Sequence, residues 1–378
     1  MRIPFQPSER SSLGIEWELE LVDRDTRELT SGASEILAEI APVPGEEHPK
    51  AKHELLESTV EVITGVCSTV AEAREDLAGT VKEVQAAAAR RNLGVMCSGT
   101  HPFTDWATQS ISPNPRYSQL VEQMQWLARR LQIFGVHVHV GVRAPEKAIP
   151  INNALMMYIP HFLALSASSP YWMGSDTGLA SARSKVFEGL PTAGLPYALS
   201  GWDAFEDYME TLISSNTIES IREVWWDIRP HPNFGTVELR VCDGIPTLDE
   251  ISVVAALAQS LVESLDRQLD KGYTLPTPRM WLVRENKWRA ARYGLDAEIV
   301  VDDRGQAVKP VREAILDLAE DLEPIARKLG CAEELMQVER ILDRGAAYQR
   351  QRAVAAGSGG DLKAVVDALL AEMDEGVF

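Results

Sequence analysis

Three common signatures of nucleotide and acyl chemistry are missing from this sequence. It contains no Gly-x-x-x-x-Gly-Lys-Ser/Thr loop, no Gly-x-Gly-x-x-Gly after a strand and no nucleophile elbow. Any nucleotide would therefore have to be held mainly through metal. Cysteine is scarce. The four present, Cys67, Cys97, Cys242 and Cys331, lie far apart with no CxxC or Cys/His zinc spacing, which excludes a disulfide framework and a thiolate metal site. Each has apolar neighbours and reads as a small buried hydrophobe in a reducing cytoplasm. Positive charge is in deficit: 37 Lys+Arg face 56 Asp+Glu, a net charge of -19. That balance argues against nucleic acid or an anionic membrane as the main partner. An anionic substrate would need bound metal or a local arginine cluster. Long apolar runs are absent as well. The longest, Ala154 to Ala167, is interrupted by Pro160 and His161, and Met1 to Ser12 has no apolar segment. Neither a signal peptide nor a membrane span is expected, and a cytoplasmic location is.

What is present begins with Leu13-Gly14-Ile15-Glu16-Trp17-Glu18-Leu19-Glu20-Leu21-Val22. Apolar and acidic residues alternate with period two, which predicts a strand with Ile15, Trp17, Leu19 and Leu21 on one face and Glu16, Glu18 and Glu20 on the other. Same-face neighbours lie about 6.6 Å apart. Two carboxylates at that spacing repel by about 0.6 kcal/mol in water and roughly 2.5 kcal/mol at an effective dielectric near 20. A solvated strand face tolerates this; a cleft needs a cation.

Further along, Ala33 to Ala41 reads as a short helix with Ser31 or Ser34 near its start, and Pro42 to Pro49 as loop. In Lys52 to Gly65 the second half, rich in Val, Ile and Thr, predicts a strand. Glu54 and Glu61 are an odd number of residues apart, so they converge only across a bend or bulge, and Glu57 is an alternative to Glu54. Helices are expected over Thr69 to Asn92, Tyr117 to Leu131, Pro150 to Ser169, Trp202 to Ser214 and Thr247 to Asp270, the last opened by a Thr-Leu-Asp-Glu capping box. Phe134 to Val142 alternates again and puts His137 and His139 on one strand face. Trp172 to Ser184 is a polar loop of the kind that carries binding groups. Val224 to Asp243 reads as strand, Pro-rich turn, strand, with Glu238 and Arg240 on one face. These two are either a same-face salt bridge or a metal ligand beside a phosphate-binding fork. From Pro278 onward the chain is largely helical apart from a hairpin at Ile299 to Val308 around Asp302-Asp303-Arg304-Gly305. No linker divides the chain, so residues 1–378 are taken as one catalytic domain with a mostly helical part over about 278–378.

If these strands are neighbours in one curved antiparallel sheet, its face carries Glu16, Glu18, Glu54, Glu61, His137, His139, Glu238 and Arg240 together. So many carboxylates demand divalent cations, and oxygen ligands with an occasional histidine suit magnesium or manganese. Such ions beside arginines form a clamp for phosphoryl transfer.

Gly-Ile-Glu-Trp-Glu-Leu-Glu, Lys-His-Glu-x-x-Glu-Ser-x-x-Glu, Gly-Thr-His-Pro-Phe, Phe-Gly-Val-His-Val-His-Val-Gly, Ser-Ala-Arg-x-x-x-Phe and Trp-Asp-Ile-Arg-Pro-x-Pro-x-Phe-Gly-Thr-Val-Glu-Leu-Arg occur in this order. Together the set resembles the carboxylate-amine ligase family, also called glutamate-cysteine ligase type 2. The resemblance spans nearly the whole chain. It implies an α+β fold related to glutamine synthetase, with an antiparallel sheet forming the active-site cleft and helices walling it. It implies ATP-dependent amide formation from a carboxylate, expected to be the γ-carboxylate of glutamate, through an acyl phosphate. The implied metal ligands, for Mg2+ or Mn2+, are Glu16, Glu18, Glu54, Glu61, His137 and Glu238. His139, Arg229 and Arg240 are implied as catalytic contacts to the ATP phosphates, and Arg183 as the contact to the substrate carboxylate. A weak glutamate-cysteine ligase activity, an amine that is cysteine or another small molecule, and a homodimer are implied too. The competing readings are a metal-dependent phosphotransferase or hydrolase at the same site, and a non-enzymatic acidic metal-binding protein.

Overall fold

The computed structural model describes residues 2–302 and 304–377. The opening alternation forms the central strand β1 (Leu13–Asp23). Ile15, Trp17, Leu19 and Leu21 are all buried on its apolar side, where the Trp17 indole also donates to the Ile245 carbonyl at 3.1 Å. Around it stand β2 (Ala51–His53), β3 (Thr59–Ile63), β4 (Leu93–Met96), β5 (Gly135–Gly141), β6 (Ile228–His231) and β7 (Thr236–Asp243). Their order is β6-β7-β5-β1-β3-β2, with β4 paired to the far end of β1. Every pairing is antiparallel. The register sets Glu16 opposite His137, Glu18 opposite Glu61, His139 opposite Glu238 and Glu238 opposite Arg229.

Helices cover one face of this antiparallel sheet. These are chiefly α2 (Val70–Ala89), α5 (Pro145–Leu155), α6 (Ile159–Ser166) and α9 (Leu248–Asp270). Their apolar residues and the apolar side of the strands make one core cluster. The other face is left to the polar residues, flanked by α3 (Pro115–Met124) and α7 (Ala182–Phe187), with the short α4 (Trp126–Arg129) between them in the chain. The remaining helices are α1 (Ala33–Ile40), α8 (Trp202–Ser214), α10 (Met280–Tyr293), α11 (Val311–Leu329), α12 (Ala332–Met336), α13 (Val338–Arg344), α14 (Ala347–Gly357) and α15 (Leu362–Val377).

Several local expectations need correction. The helix expected over Tyr117 to Leu131 is broken at Gln125, whose φ of 49° lies in the left-handed region. The helix expected from Pro150 starts at Pro145 and keeps Pro150 inside α5, because burial of Ala148, Ile149 and Ile151 outweighs one lost backbone bond. From Pro145 to Ser166 this stretch is long and apolar enough to cross a bilayer, but 83% of its apolar window is buried inside the fold. Ser31 and Ser34 do stand near the start of α1, where Ser34 bonds Glu57 and His53 and no side chain caps the helix. Thr247 caps α9, yet Glu250 accepts from the Thr247 hydroxyl and from Arg350 rather than closing a capping box. The expected loop at 172–184 holds a short strand pair, Tyr171–Trp172 with Ser175–Asp176, and the start of α7. The late hairpin pairs Glu298–Val300 with Val308–Pro310; Asp303 of its turn lies outside the described residues.

Candidate active site

The polar face of the sheet is the floor of a cleft of about 370 Å³. Its floor residues follow from period-two geometry: in β1 only every second side chain points there, which selects Glu16 and Glu18. The Glu16 carboxylate bridges two histidines of β5, with Oε2 2.9 Å from His137 Nδ1 and Oε1 3.2 Å from His139 Nε2. His139 Nδ1 lies 3.0 Å from Thr236 Oγ1. Glu18 Oε2 accepts from the Gly135 backbone at 2.5 Å, and its Oε1 is 3.8 Å from His137 Nε2. Glu238, almost wholly buried, accepts from Arg229 Nε at 2.9 Å and pairs with Arg240. Glu54 sits in the bend between β2 and β3, where it takes the Leu55 backbone N–H at 2.9 Å. The alternation rule does not bind a residue beyond a strand end, so Glu54 and Glu61 reach the same cleft. Glu57 turns the other way and accepts from Ser34.

Arg183 reaches the cleft from α7. Its two terminal nitrogens are each 3.4 Å from the Arg240 carbonyl, and its Nε is buried without a partner. It passes directly over Gly135, where any Cβ would collide with the guanidinium. Ser181 caps α7, and its hydroxyl is tied at 2.7 Å to the buried Asp243.

These charges hold one another far from their ordinary ionisation. Burial, then repulsion from Glu54, pushes the Glu18 carboxyl up to about 8, against the pull of Arg183 and Arg240. Burial and neighbouring carboxylates likewise raise Glu54 and, much further, Glu61. For Glu16 burial works upward too, but His139 and His137 outweigh it and hold the carboxyl well below the usual range. Glu238 is held low against burial by Arg229 and Arg240. Burial and then Arg240 lower His137 to about 4, leaving a neutral imidazole. With Nδ1 at Glu16, His137 Nε2 is buried and has no hydrogen-bond partner among the described residues.

A cation fits such a site. Ligand atoms of Glu16, His137 and Glu238 lie within 4.8 Å of one another, and so do those of Glu18, Glu61 and His137. A divalent ion would supply the missing partner of His137 Nε2 and offset the repulsion among Glu18, Glu54 and Glu61.

Every site residue named from the sequence lines this cleft: Glu16, Glu18, Glu54, Glu61, His137, His139, Arg183, Arg229, Glu238 and Arg240. The structure adds Arg116, Tyr117, Arg222, His231 and Phe234. His231 and Phe234 stand in the Pro-rich turn already singled out. Arg116 and Arg222 carry no periodic signal and could not have been found that way.

The sequence profile described as glutamate-cysteine ligase family 2 matches residues 12–368. The chain belongs to that family. A Frankia alni protein named "Putative glutamate--cysteine ligase 2-1" is 66% identical over 377 residues, covering 100% of this chain and 98% of that protein. A Thermobifida fusca protein named "Putative glutamate--cysteine ligase 2" is 57% identical over 377 residues, covering 100% and 94%. Among solved structures, the glutamate–cysteine ligase of Francisella tularensis in complex with AMP has a TM-score of 0.70 at 13% identity, over 99% of this chain and 90% of that one. That likeness is one of fold. Family membership makes the protein an ATP-dependent ligase that forms a carbon–nitrogen bond between a carboxylate and an amine.

Proposed function

We propose that this ligase activates the γ-carboxylate of glutamate as an acyl phosphate and passes it to a small amine. The observation that carries the reading is one strand register, which brings Glu16, Glu18 and Glu61 beside His137, with His139 on the same strand as His137, Glu238 and Arg240 on the next strand and Arg229 on the one after. Along β7 the cleft has a direction. From Thr236 to Asp243 is about 23 Å at strand rise. At the Thr236 end, His231 and Phe234 stack at 4.1 Å and 10°, and Phe234 is 56% exposed, a ready shelf for the purine. In the middle His139, Arg229 and Arg240 meet the phosphates. At the Asp243 end Arg183 holds the substrate carboxylate by its planar fork.

Glu16, Glu18, Glu54, Glu61, His137 and Glu238 would hold Mg2+ or Mn2+, which would neutralise phosphate oxygens and ease departure of ADP. The chain's own groups orient the reactants. Arg240 and Arg229, kept in place by Glu238, take up charge on the transferring phosphoryl group. The γ-carboxylate oxygen bonds to the γ-phosphorus while the bond to the ADP oxygen breaks. The neutral amine then attacks the acyl carbon, the carbon–oxygen bond to phosphate breaks, and the amine proton leaves with the phosphate.

The test is ADP release by purified protein with ATP, Mg2+, glutamate and an amine panel that includes cysteine, with mass detection of product. A γ-glutamyl amide in step with ADP, lost by at least about 10²-fold in Glu16→Gln, is expected. ADP release without any amide would instead favour a phosphotransferase or hydrolase.

A further inference from the structure

The Asp243 end of the cleft is apolar on two sides. Tyr117 and Leu120 reach it from α3, Leu131 and Ile133 from the segment before β5, and Phe187 and Leu190 from α7 and the turn after it. All but Leu190 are only half buried, so apolar surface is left facing the cleft. Water against such surface is unfavourable, and a ligand that covers it gains affinity. Among the described residues, no side chain lining the cleft carries sulfur.

Beside this wall stands Arg116, at the start of α3. Its guanidinium makes no hydrogen bond or ion pair among the described residues, although Glu54 and Tyr117 feel its charge. The neighbouring arginines are engaged: Arg229 and Arg240 on Glu238, Arg183 on the Arg240 carbonyl. Arg222 faces the opposite, His231 end, where its carbonyl accepts from Arg229. The apolar end therefore offers an unpaired cation and an uncovered hydrophobic wall together.

We infer that the acceptor is an α-amino acid with an apolar side chain larger than that of cysteine, its carboxylate on Arg116 and its side chain against Leu120, Leu131 and Phe187. This rests on the ligase reading above. Cysteine would satisfy Arg116 and leave most of the wall wet. An alkylamine would cover the wall and leave Arg116 without a partner. An apolar amino acid answers both. Its neutral amine forms the carbon–nitrogen bond as phosphate departs with the electron pair of the broken carbon–oxygen bond and the amine proton.

The experiment compares leucine, cysteine, 3-methylbutylamine and hydroxylamine as acceptors, with ATP, Mg2+ and glutamate, reading ADP and product mass. Hydroxylamine needs neither wall nor Arg116 and reports acyl activation alone. The expected result is a kcat/KM for leucine about tenfold or more above both cysteine and 3-methylbutylamine. Arg116→Ala should bring leucine and 3-methylbutylamine to within about threefold, and Leu120→Asn should shrink the leucine-to-cysteine ratio by about tenfold. Both changes fall on α3, which contains no buried residue, so folding tolerates them. Hydroxamate formation with cysteine preferred, or with leucine no better than its decarboxylated analogue, overturns the inference and leaves the ligase reading standing. No hydroxamate and no amide with any acceptor would overturn both.

Discussion

Glu20 shares a strand face with Glu16 and Glu18 but not their cleft. Its Oε1 accepts from the Ser98 backbone and hydroxyl, both at 2.8 Å, while Oε2 is buried with no partner. Burial pushes its carboxyl from 4.5 to about 8, despite the two bonds from Ser98. A folded-state pKa above the unfolded one means that the fold keeps a proton the unfolded chain has already lost. The associated stability is fully present below pH 4.5 and disappears as pH rises through about 8. Glu20→Gln, a neutral isostere, should therefore stabilise the protein at pH 8 by roughly 2–4 kcal/mol, with the gain vanishing below about pH 5. Urea unfolding of both proteins at the two pH values decides it; a pH-independent difference would mean Glu20 is ionised in the fold. Period two was enough to predict that Glu20 leaves the apolar face. Its diversion to Ser98 depends on a partner 78 residues away in the chain, which no local pattern encodes.

Turns and strand ends show the same division at the scale of elements. The odd spacing of Glu54 and Glu61 called for a bend, and residues 54–58, between His53 at the end of β2 and Thr59 at the start of β3, make it. Which carboxylate enters the cleft was decided by α1, because Ser34 claims Glu57. The turn between β6 and β7 is held equally firmly. Gly235 has a φ of +60° and is pressed against the backbone of Gln6 and Ser8, while Gln6 N–H bonds Pro232 at 2.9 Å. A methyl group there meets both left-handed strain and backbone that cannot yield. Gly235→Ala should cost about 2 kcal/mol or more. Gly45, at φ +85° with nothing within 4 Å of an added Cβ, is the control and should lose only about 1 kcal/mol as Ala. Equal shifts of the denaturation midpoint for the two variants would show that the Gln6–Ser8 contact contributes nothing.

At the scale of the molecule, a chain of net charge -19 gathers Arg116, Arg183, Arg222, Arg229 and Arg240 around one cleft, with no lysine lining it. These arginines give the cleft a local positive charge against the overall field. Beneath them the raised carboxyls of Glu18, Glu54 and Glu61 should make the metal-free protein lose stability as pH climbs from about 4.5 towards 8. Mg2+ held by these carboxylates, as proposed above, would compete with those protons. At a hundredfold excess over its dissociation constant it should add about 2.7 kcal/mol, with a larger rise in Tm at pH 8 than at pH 5. A Tm increment that is the same at both pH values would argue that the ion binds elsewhere. The sequence by itself determined the alternating strands, the faces on which Glu16, Glu18, His137, His139, Glu238 and Arg240 lie, and most of the helices, because side-chain direction in a regular element is a local property of the backbone. Tertiary packing decided that Glu54 rather than Glu57 enters the cleft, that Phe234 stacks on His231 at its rim and that Arg116 stands unpaired among the described residues at its apolar end. Those outcomes depend on which surfaces meet across strands and helices far apart in the chain, and periodicity is silent about that.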